Sequence, residues 1–336
     1  MAGGSQRRPG RQDRDLTYVA KTLFAGGIAG CAAKTVVAPL DRVKILFQAN
    51  QPQFRRYSGS LLGVARAGRA IVAQQGFTGL FQGHSMSLLR IFPYASIKFM
   101  AYEQFRILLM PTHDQETDLR HFVAGSLAGT SSVLVTYPLD LIRVRMAYET
   151  GTDKSHKTRR AVQRIWGEST YRTKWLRLPI TNFYTGFGMS VLGMIPYAGA
   201  SFYVHAALER LCRERLPAYT TIPSTPAAAD AVGTAPTPVR RAQLNFWAQL
   251  LSGGLAGIVA QTVSYPIEIV RRRMQVAGAL DAVAKIQVHT VAREIYAAGG
   301  LRGFYVGLSI GYLKVAPMFA VSFYVYEKVK YLLNIE

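Results

Sequence analysis

Residues 36–48 read VVAPLDRVKILFQ, and the fold is decided by what that string is for. It is apolar enough for a buried helix, yet Pro39 lies inside it and Asp41, Lys44 and Gln48 follow. A proline inside a helix removes one backbone donor and crowds the preceding turn, a cost of about 3 kcal/mol or more. Charged side chains in the same segment add a desolvation cost if the helix crosses a membrane. A breaker and an ion pair placed together in an apolar run need a purpose.

The string recurs. TYPLDLIRVRMA carries Pro138, Asp140 and Arg143, and SYPIEIVRRRMQ carries Pro266, Glu268 and Arg271. Thirteen residues before each proline a glycine stands in a small-residue cluster: Gly26 in AGGIAG, Gly125 in AGSLAG and Gly253 in SGGLAG. LFQG, FYTG and FYVG end at Gly83, Gly186 and Gly307, and ten residues after each comes Pro93, Pro196 or Pro317. The two intervals are constant in all three copies, whereas the stretch from the first proline to the closing glycine varies from 41 to 48 residues. Fixed spacing within helices and variable connections between them predict a threefold internal repeat. The repeats span 16–115, 116–216 and 241–336. A disordered tail is expected over 1–15, and a flexible linker rich in Pro, Ala and Thr over 217–240.

Composition narrows the class. Of 336 residues, 49% are apolar and only 18% charged, yet the net charge is +21. A membrane protein with basic loops and a basic nucleic-acid binder both fit those figures. The chain shows no zinc spacing, basic zipper or RNP-like string, so no nucleic acid is expected as partner. Cys31 and Cys212 cannot build a disulfide framework and read as small buried hydrophobes; no metal site is expected. The N-terminus lacks both the apolar core of a secretory signal and the amphipathic period of a transit peptide. No nucleophile–base constellation is present, so an enzyme is not expected.

Each repeat reads as two long apolar helices, over 16–48 and 84–110, 119–147 and 187–215, and 244–275 and 308–333. Helices of 26 to 33 residues reach roughly 40–50 Å, enough to cross a bilayer. The small-residue clusters let neighbouring backbones approach, as packed membrane helices require. The predicted fold class is an all-α membrane protein with six transmembrane helices in three pseudo-threefold repeats. Its long connections (49–82, 148–180, 276–306) hold 15 Lys/Arg against 5 Asp/Glu, and its short ones (111–118, 216–241) hold 2 against 4. The basic long loops are then expected on the more negative side and both termini on the other.

At helical spacing Lys34, Asp41, Lys44 and Gln48 share one face, and polar stripes on membrane helices point into a bundle interior or a wet cavity. Three such stripes would converge on a pseudo-threefold axis, with kinks at Pro39, Pro138 and Pro266 bringing the helix ends together. Acid would then meet base from repeat to repeat: Asp41 with Arg143, Asp140 with Arg271, Glu268 with Lys44. A buried ion pair adds little net stability, because desolvation offsets most of its Coulomb gain. That near-balance suits a gate that a ligand can open; a permanent ring that merely ties the bundle is the plainer alternative.

The P-x-[DE]-x-x-[KR] triplet, the glycine clusters and the aromatic-x-Gly closures strongly resemble the mitochondrial carrier family, over residues 16 to 336. The resemblance implies a multi-pass carrier of the mitochondrial inner membrane, monomeric, with short matrix helices and both termini toward the intermembrane space. It makes the three ion pairs a matrix gate, braced by Gln48 and Gln275, whereas Ala147 at the second-repeat position cannot brace. A cytoplasmic gate is implied at Tyr102, Glu103 and Arg106 and at Tyr326, Glu327 and Lys330. The aligned second-repeat residues, His205, Ala206 and Glu209, depart from that motif. The family's substrate contact points fall on Arg90, Gly193 with Met194, and Lys314. The Gly-aliphatic pair is similar to that of adenine-nucleotide carriers, where it leaves a flat slot for the purine. Tyr197 and Ser264 match further adenine positions there, and Lys34, Arg90 and Lys314 match cations facing phosphates. Arg272 would extend the cationic path, and Lys98 is an additional cation.

The strings AGGIAGCAAKTVVAPLDRVK, RIFPYASIKFMAYE and GMIPYAGASF look most like the Graves-disease-carrier group, which includes fungal coenzyme A carriers. Coenzyme A as substrate, exchanged for adenosine 3′,5′-bisphosphate or another adenine nucleotide, is what that likeness implies. An ADP/ATP-type or ATP-Mg/phosphate carrier, and a non-transporting scaffold, stay open beside it. No cofactor is expected. Cardiolipin is expected as a bound lipid at Gly59, Gly83, Gly186 and Gly307, because helix N-termini offer free donors to phosphate.

Overall fold

The computed structural model describes residues 11–111, 117–151, 157–168, 179–215, 220, 244–280 and 287–333. The helices are α1 (Arg11–Gln48), α2 (Leu61–Gln75), α3 (His84–Leu109), α4 (Asp118–Tyr148), α5 (Lys157–Gly167), α6 (Phe187–Arg215), α7 (Phe246–Leu280), α8 (Val288–Gly299), α9 (Leu308–Leu313) and α10 (Val315–Leu332). Each repeat therefore has a long odd helix, a short connecting helix and a long even helix, the last of which is α9 and α10 in the third repeat. α1 begins at Arg11, so residues 11–15 continue the helix instead of belonging to a disordered tail. Residues 1–10, and the proposed linker apart from Thr220, lie outside the described residues.

The short helices are amphipathic, as segments lying against the ends of long helices must be. α2 buries Val64, Ala67 and Ile71; α5 buries Ala161 and Ile165; α8 buries Val291 and Ile295. Among the described residues, five stretches are long and apolar enough to cross a membrane: Lys21–Gln48, Arg120–Tyr148, Pro179–Arg215, Trp247–Gly278 and Val288–Leu332. α3 is not among them. It carries Arg90, Lys98, Glu103 and Arg106, and its place as a spanning helix follows from its position in the repeat. The long helices expose large apolar side chains, among them Leu23, Phe24, Val135, Leu192 and Leu251. Such surfaces are costly in water and are what lipid tails cover.

The chain divides into two compact units, residues 1–187 with 269–336, and residues 188–268. In the first, α3 packs along α4, and α1 along α10. Ile45 and Ala49 from the end of α1, Val144, Ala147 and Tyr148 from α4, and Val276 from α7 form one buried apolar cluster. The ends of three odd helices thus meet in a plug. In the second unit, Gly193 of α6 faces Ile267 of α7, where an added Cβ would stand 3.2 Å from Ile267 Cγ2.

Five of the six repeat prolines, Pro39, Pro93, Pro138, Pro196 and Pro266, lie inside continuous helices. At the sixth, Pro317, the helix is interrupted at Lys314, which ends α9 and precedes α10. Lys314 stands three residues before a ring that can neither donate nor clear the preceding turn. The closing glycines Gly83, Gly186 and Gly307 all have φ +83°. Gly83 needs its freedom twice over, since a Cβ would also lie 2.7 Å from the carbonyl of Arg143.

Candidate functional site

Two buried carboxylates organise the ends of the odd helices in the first unit. Asp41 is 7% exposed and Asp140 2%, so each must be matched by donors to stay charged. Arg143 Nη2 donates to Asp41 Oδ2 at 2.9 Å, and Arg271 Nη2 donates to Asp140 Oδ2 at 2.5 Å. These are two of the pairings expected from the repeat. Lys44 is 5% exposed, and Glu268, in the second unit, is half-buried.

Each of the two acids holds a second cation. Lys314 Nζ donates to Asp41 Oδ1 at 2.9 Å, and Arg90 Nη1 donates to Asp140 Oδ1 at 2.9 Å. Arg272 Nη1 reaches Asp140 Oδ2 at 3.5 Å. Three residues expected at the substrate site therefore bond to acids expected at the gate, a contact between the two sets that no motif announces. The arrangement follows the repeat order. The acid of one repeat takes the base of the next odd helix and the contact-point cation of the preceding even helix. For Glu268 that even-helix position is Gly193, which brings no side-chain charge.

The two pairs are supported differently. Gln275 Nε2 donates to Asp140 Oδ2 at 3.3 Å and to Tyr137 Oη at 3.1 Å, while its Oε1 accepts from Arg272 at 2.9 Å. Tyr137 is fully buried, donates to the carbonyl of Thr185 at 2.8 Å, and has the Arg271 guanidinium 5.6 Å over its ring. The Arg143–Asp41 pair has Ala147 where Gln275 stands, and Ala147 offers no side-chain donor. Gln48 is buried at 1% exposure and hydrogen-bonded.

Of the remaining substrate candidates, Lys34 lines a narrow cleft with Asp41 and Arg143, and Lys98 is exposed on α3. Arg90 also lies 5.2 Å from the Tyr94 ring centroid. In the second unit, Met194 is half-buried and Tyr197 is 45% exposed. Ser264 is buried and donates to its own helix at Ala260 O, 2.9 Å. Ile267 occupies the space beside Gly193, so that glycine serves close packing of α6 on α7.

At the other end of the helices, Tyr102 Oη and His121 Nδ1 are 3.1 Å apart, joining α3 to α4. Glu103 is half-buried and Arg106 is engaged; on α10, Tyr326 and Lys330 are half-buried and Glu327 is exposed. In the second unit Glu209 pairs within its own helix, with His205 at 3.4 Å and Arg213 at 3.2 Å. Gly59, with φ +102°, and Gly307 line one cavity of about 470 Å³ together with Ser58, Ser60, Arg302 and Ser309. Gly83 and Gly186 are instead packed against the backbone carbonyls of Arg143 and Arg271 on the following odd helices, Gly186 also against Tyr137 of its own repeat.

Sequence reasoning missed Arg42, Tyr137, Arg145 and Glu168. Arg145 and Glu168 form a buried two-pronged ion pair, one prong at 3.0 Å, and Arg145 Nε also donates to the carbonyl of Gln275 at 2.5 Å. The signal was present as a second charge two residues beyond Arg143. Among the described residues no group of His, Cys, Asp and Glu could hold a metal ion.

Comparison with known proteins agrees with this architecture. The chain is 45% identical over 326 residues to "Mitochondrial carrier protein LEU5" of Saccharomyces cerevisiae, covering 94% of this chain and 90% of that protein. It is 36% identical over 316 residues to human "Solute carrier family 25 member 16", covering 93% and 88%. It is 34% identical over 333 residues to "Mitochondrial carrier protein CoAc2" of Zea mays, covering 95% and 88%. The family description "Mitochondrial carrier protein" matches residues 16–113, 114–216 and 242–336. With three matched repeats, three signature prolines each followed by an acid and a base, and relatives aligned over nearly their whole length, the chain belongs to the mitochondrial carrier family: a multi-pass inner-membrane transporter and not an enzyme.

Proposed function

We propose that this carrier moves an adenine-containing phosphorylated anion, coenzyme A above all, in exchange for adenosine 3′,5′-bisphosphate or another adenine nucleotide. The observation that carries the reading is the convergence of Arg90, Arg272 and Lys314, the cations assigned to substrate, on the buried carboxylates Asp140 and Asp41. A ligand able to replace two carboxylates must present several anionic groups. Phosphates do, taking Arg in two-pronged contacts and Lys as a point charge. Lys98 supplies a further cation for a 3′-phosphate, and Met194 and Tyr197 supply apolar and aromatic surface for the base.

In this reading Asp41–Arg143, Asp140–Arg271 and Glu268–Lys44 form the matrix gate, braced by Gln48 and Gln275, with both termini toward the intermembrane space. An anion that takes Lys314 from Asp41 and Arg90 from Asp140 leaves each acid with fewer partners. Hydrogen bonds to charged groups are worth about 1.5–3 kcal/mol each, so losing one from each acid tips a near-balanced gate. Tyr102, Glu103, Arg106, Tyr326, Glu327 and Lys330 close the opposite side in the alternate state. Charge balance favours exchange, since moving one uncompensated charge costs about 2.3 kcal/mol per 100 mV. Cardiolipin is proposed at the cavity joining Gly59 and Arg302, where α2 offers free backbone donors.

The test is exchange by the protein reconstituted in liposomes. Coenzyme A or adenosine 3′,5′-bisphosphate should exchange faster than ADP or ATP, and Lys98→Ala should weaken the 3′-phosphorylated substrates more than ADP. Uptake of ADP or ATP-Mg without coenzyme A would favour the ADP/ATP or ATP-Mg/phosphate alternative. No exchange of any of these would point to the non-transporting scaffold.

A further inference from the structure

Arg42 has no counterpart in the ion-pair scheme. It follows the acid Asp41 directly, at a position where the other two repeats have Leu141 and Ile269. Its side chain is 2% exposed, an unusual place for a guanidinium unless every donor is used. All three nitrogens are engaged, and every acceptor is a backbone carbonyl. Nη1 donates to Gly79 O, Nε to Ala147 O at 3.3 Å, and Nη2 to Glu149 O at 3.1 Å. Gly79 belongs to the first repeat, while Ala147 and Glu149 close the last turn of α4 in the second. Carbonyls at a helix C-terminus lack intrahelical donors and carry the negative end of the helix dipole. The charge of Arg42 is therefore met by the end of the neighbouring odd helix and not by a carboxylate.

The acceptor at Ala147 ties this side chain to the gap in the brace. At the boundary between the second and third repeats, Gln275 supports the Asp140–Arg271 pair with its side chain, and its carbonyl accepts from Arg145. At the boundary between the first and second, the equivalent residue is Ala147, whose carbonyl accepts from Arg42. Arg42 and Arg145 thus bind the same backbone position in successive repeats. Arg145 stands four residues later in its own helix than Arg42 does, one turn along the same face. Its counterpart in the first repeat is Leu46.

We propose that Arg42 is a positioning residue that substitutes for the missing glutamine brace, clasping the ends of α1 and α4 on the closed side of the gate. This rests on the reading that the odd-helix ends separate during transport. Separation must break the bonds to Ala147 and Glu149 while leaving the one to Gly79 intact, so the clasp acts on one boundary of the three. Its acceptors are uncharged carbonyls, so an anionic substrate does not compete for them directly.

The experiment uses purified full-length protein in cardiolipin-containing micelles, with Cys31 and Cys212 replaced by serine. A single reporter cysteine is placed by Ile45→Cys, in the plug at the end of α1, or by Met274→Cys, buried on α7 beside Gln275. The rate of maleimide labelling reports opening. With Arg42 intact, adding coenzyme A with ADP should raise labelling at both reporters; if neither responds, the reading that this end opens is what has failed. Given that response, Arg42→Met without substrate should raise labelling at position 45 about tenfold, the equivalent of about 1.4 kcal/mol, and less than about twofold at 274. Arg42→Lys, which keeps the charge but not the fork, should fall between. If Arg42→Met does not fold, the 45-to-274 ratio in Arg42→Lys decides. Equal rises at both positions would mean a merely structural arginine, and no rise at 45 would leave the clasp without a role. Either result overturns the proposal.

Discussion

The two ends of the long helices handle charge in opposite ways. Where the odd helices finish, Asp41 and Asp140 are buried and their partners come from other helices up to 273 residues away. Where α6 finishes, Glu209 is half-buried and pairs with His205 and Arg213 on its own helix. A bond between helices must break when the helices part; one within a helix travels with it and resists nothing. The crossing contacts described at the far end involve no buried carboxylate: Tyr102 meets His121 at 3.1 Å, and Lys21 and Arg120 donate to the carbonyls of Leu333 and Leu109 at 3.1 and 3.3 Å. Within the first unit, then, the buried carboxylates that bind cations from other helices are gathered at one end.

The sharpest way to break that contrast is to remove one acid from each end. Asp140→Ala leaves Arg90, Arg271 and Arg272 clustered without their carboxylate, and stranding buried charge costs about 3–5 kcal/mol. Thermal unfolding in detergent should show a large loss, and exchange should fall below detection. Glu209→Ala should cost about 0–1 kcal/mol and be masked by moderate salt. Equal losses from the two would erase the distinction between the ends.

The next effect is a coupling. Asp41→Arg and Arg143→Asp should each abolish exchange, and the double reversal should restore about thirtyfold, corresponding to about 2 kcal/mol of pairing. Restoration should stay partial because Lys314 also bonds Asp41 and would then face a like charge. A double variant no better than the singles would mean that the 2.9 Å contact between these residues carries no energy.

Glycine substitutions sharpen the comparison further. Gly83→Ala puts a Cβ 2.7 Å from Arg143 O at a φ of +83°, at a cost of about 1–3 kcal/mol. Gly125→Ala, two turns into α4, meets nothing within 4 Å and should be neutral or stabilising by up to about 1 kcal/mol. Melting temperatures of the two variants decide it, and a neutral Gly83→Ala would deny that this turn is tight. The smallest change should come from Tyr102→Phe, which removes one half-buried hydrogen bond worth about 0.5–1.5 kcal/mol and is best read as a shift in exchange rate.

Much of the architecture could be read from the chain because its signals repeat. The thirteen- and ten-residue spacings located the long helices, and the triplet P-x-[DE]-x-x-[KR] placed Asp41 near Arg143 and Asp140 near Arg271. α3 was legible only through the repeat, since four charged residues hide it from any test of apolarity. The sequence was silent on contacts made to backbone. Nothing in a string says that Arg42 will find the carbonyls of residues 147 and 149, because every residue type offers the same acceptor. It was equally silent on the double use of Arg90 and Lys314, which depends on how far long side chains reach once the helices are packed. It was silent, too, on Ile267, whose side chain packs beside Gly193.

The interruption at Lys314 has a mechanical consequence. The six residues of α9 make an arm of about 9 Å and the eighteen of α10 one of about 27 Å, meeting at the lysine that bonds Asp41. A rotation about that joint displaces the far end of α10 about three times as far as the far end of α9. The lysine that bonds Asp41 thus sits where the two arms meet, so a shift of one ångström at the free end of the short arm would correspond to about three at that of the long one.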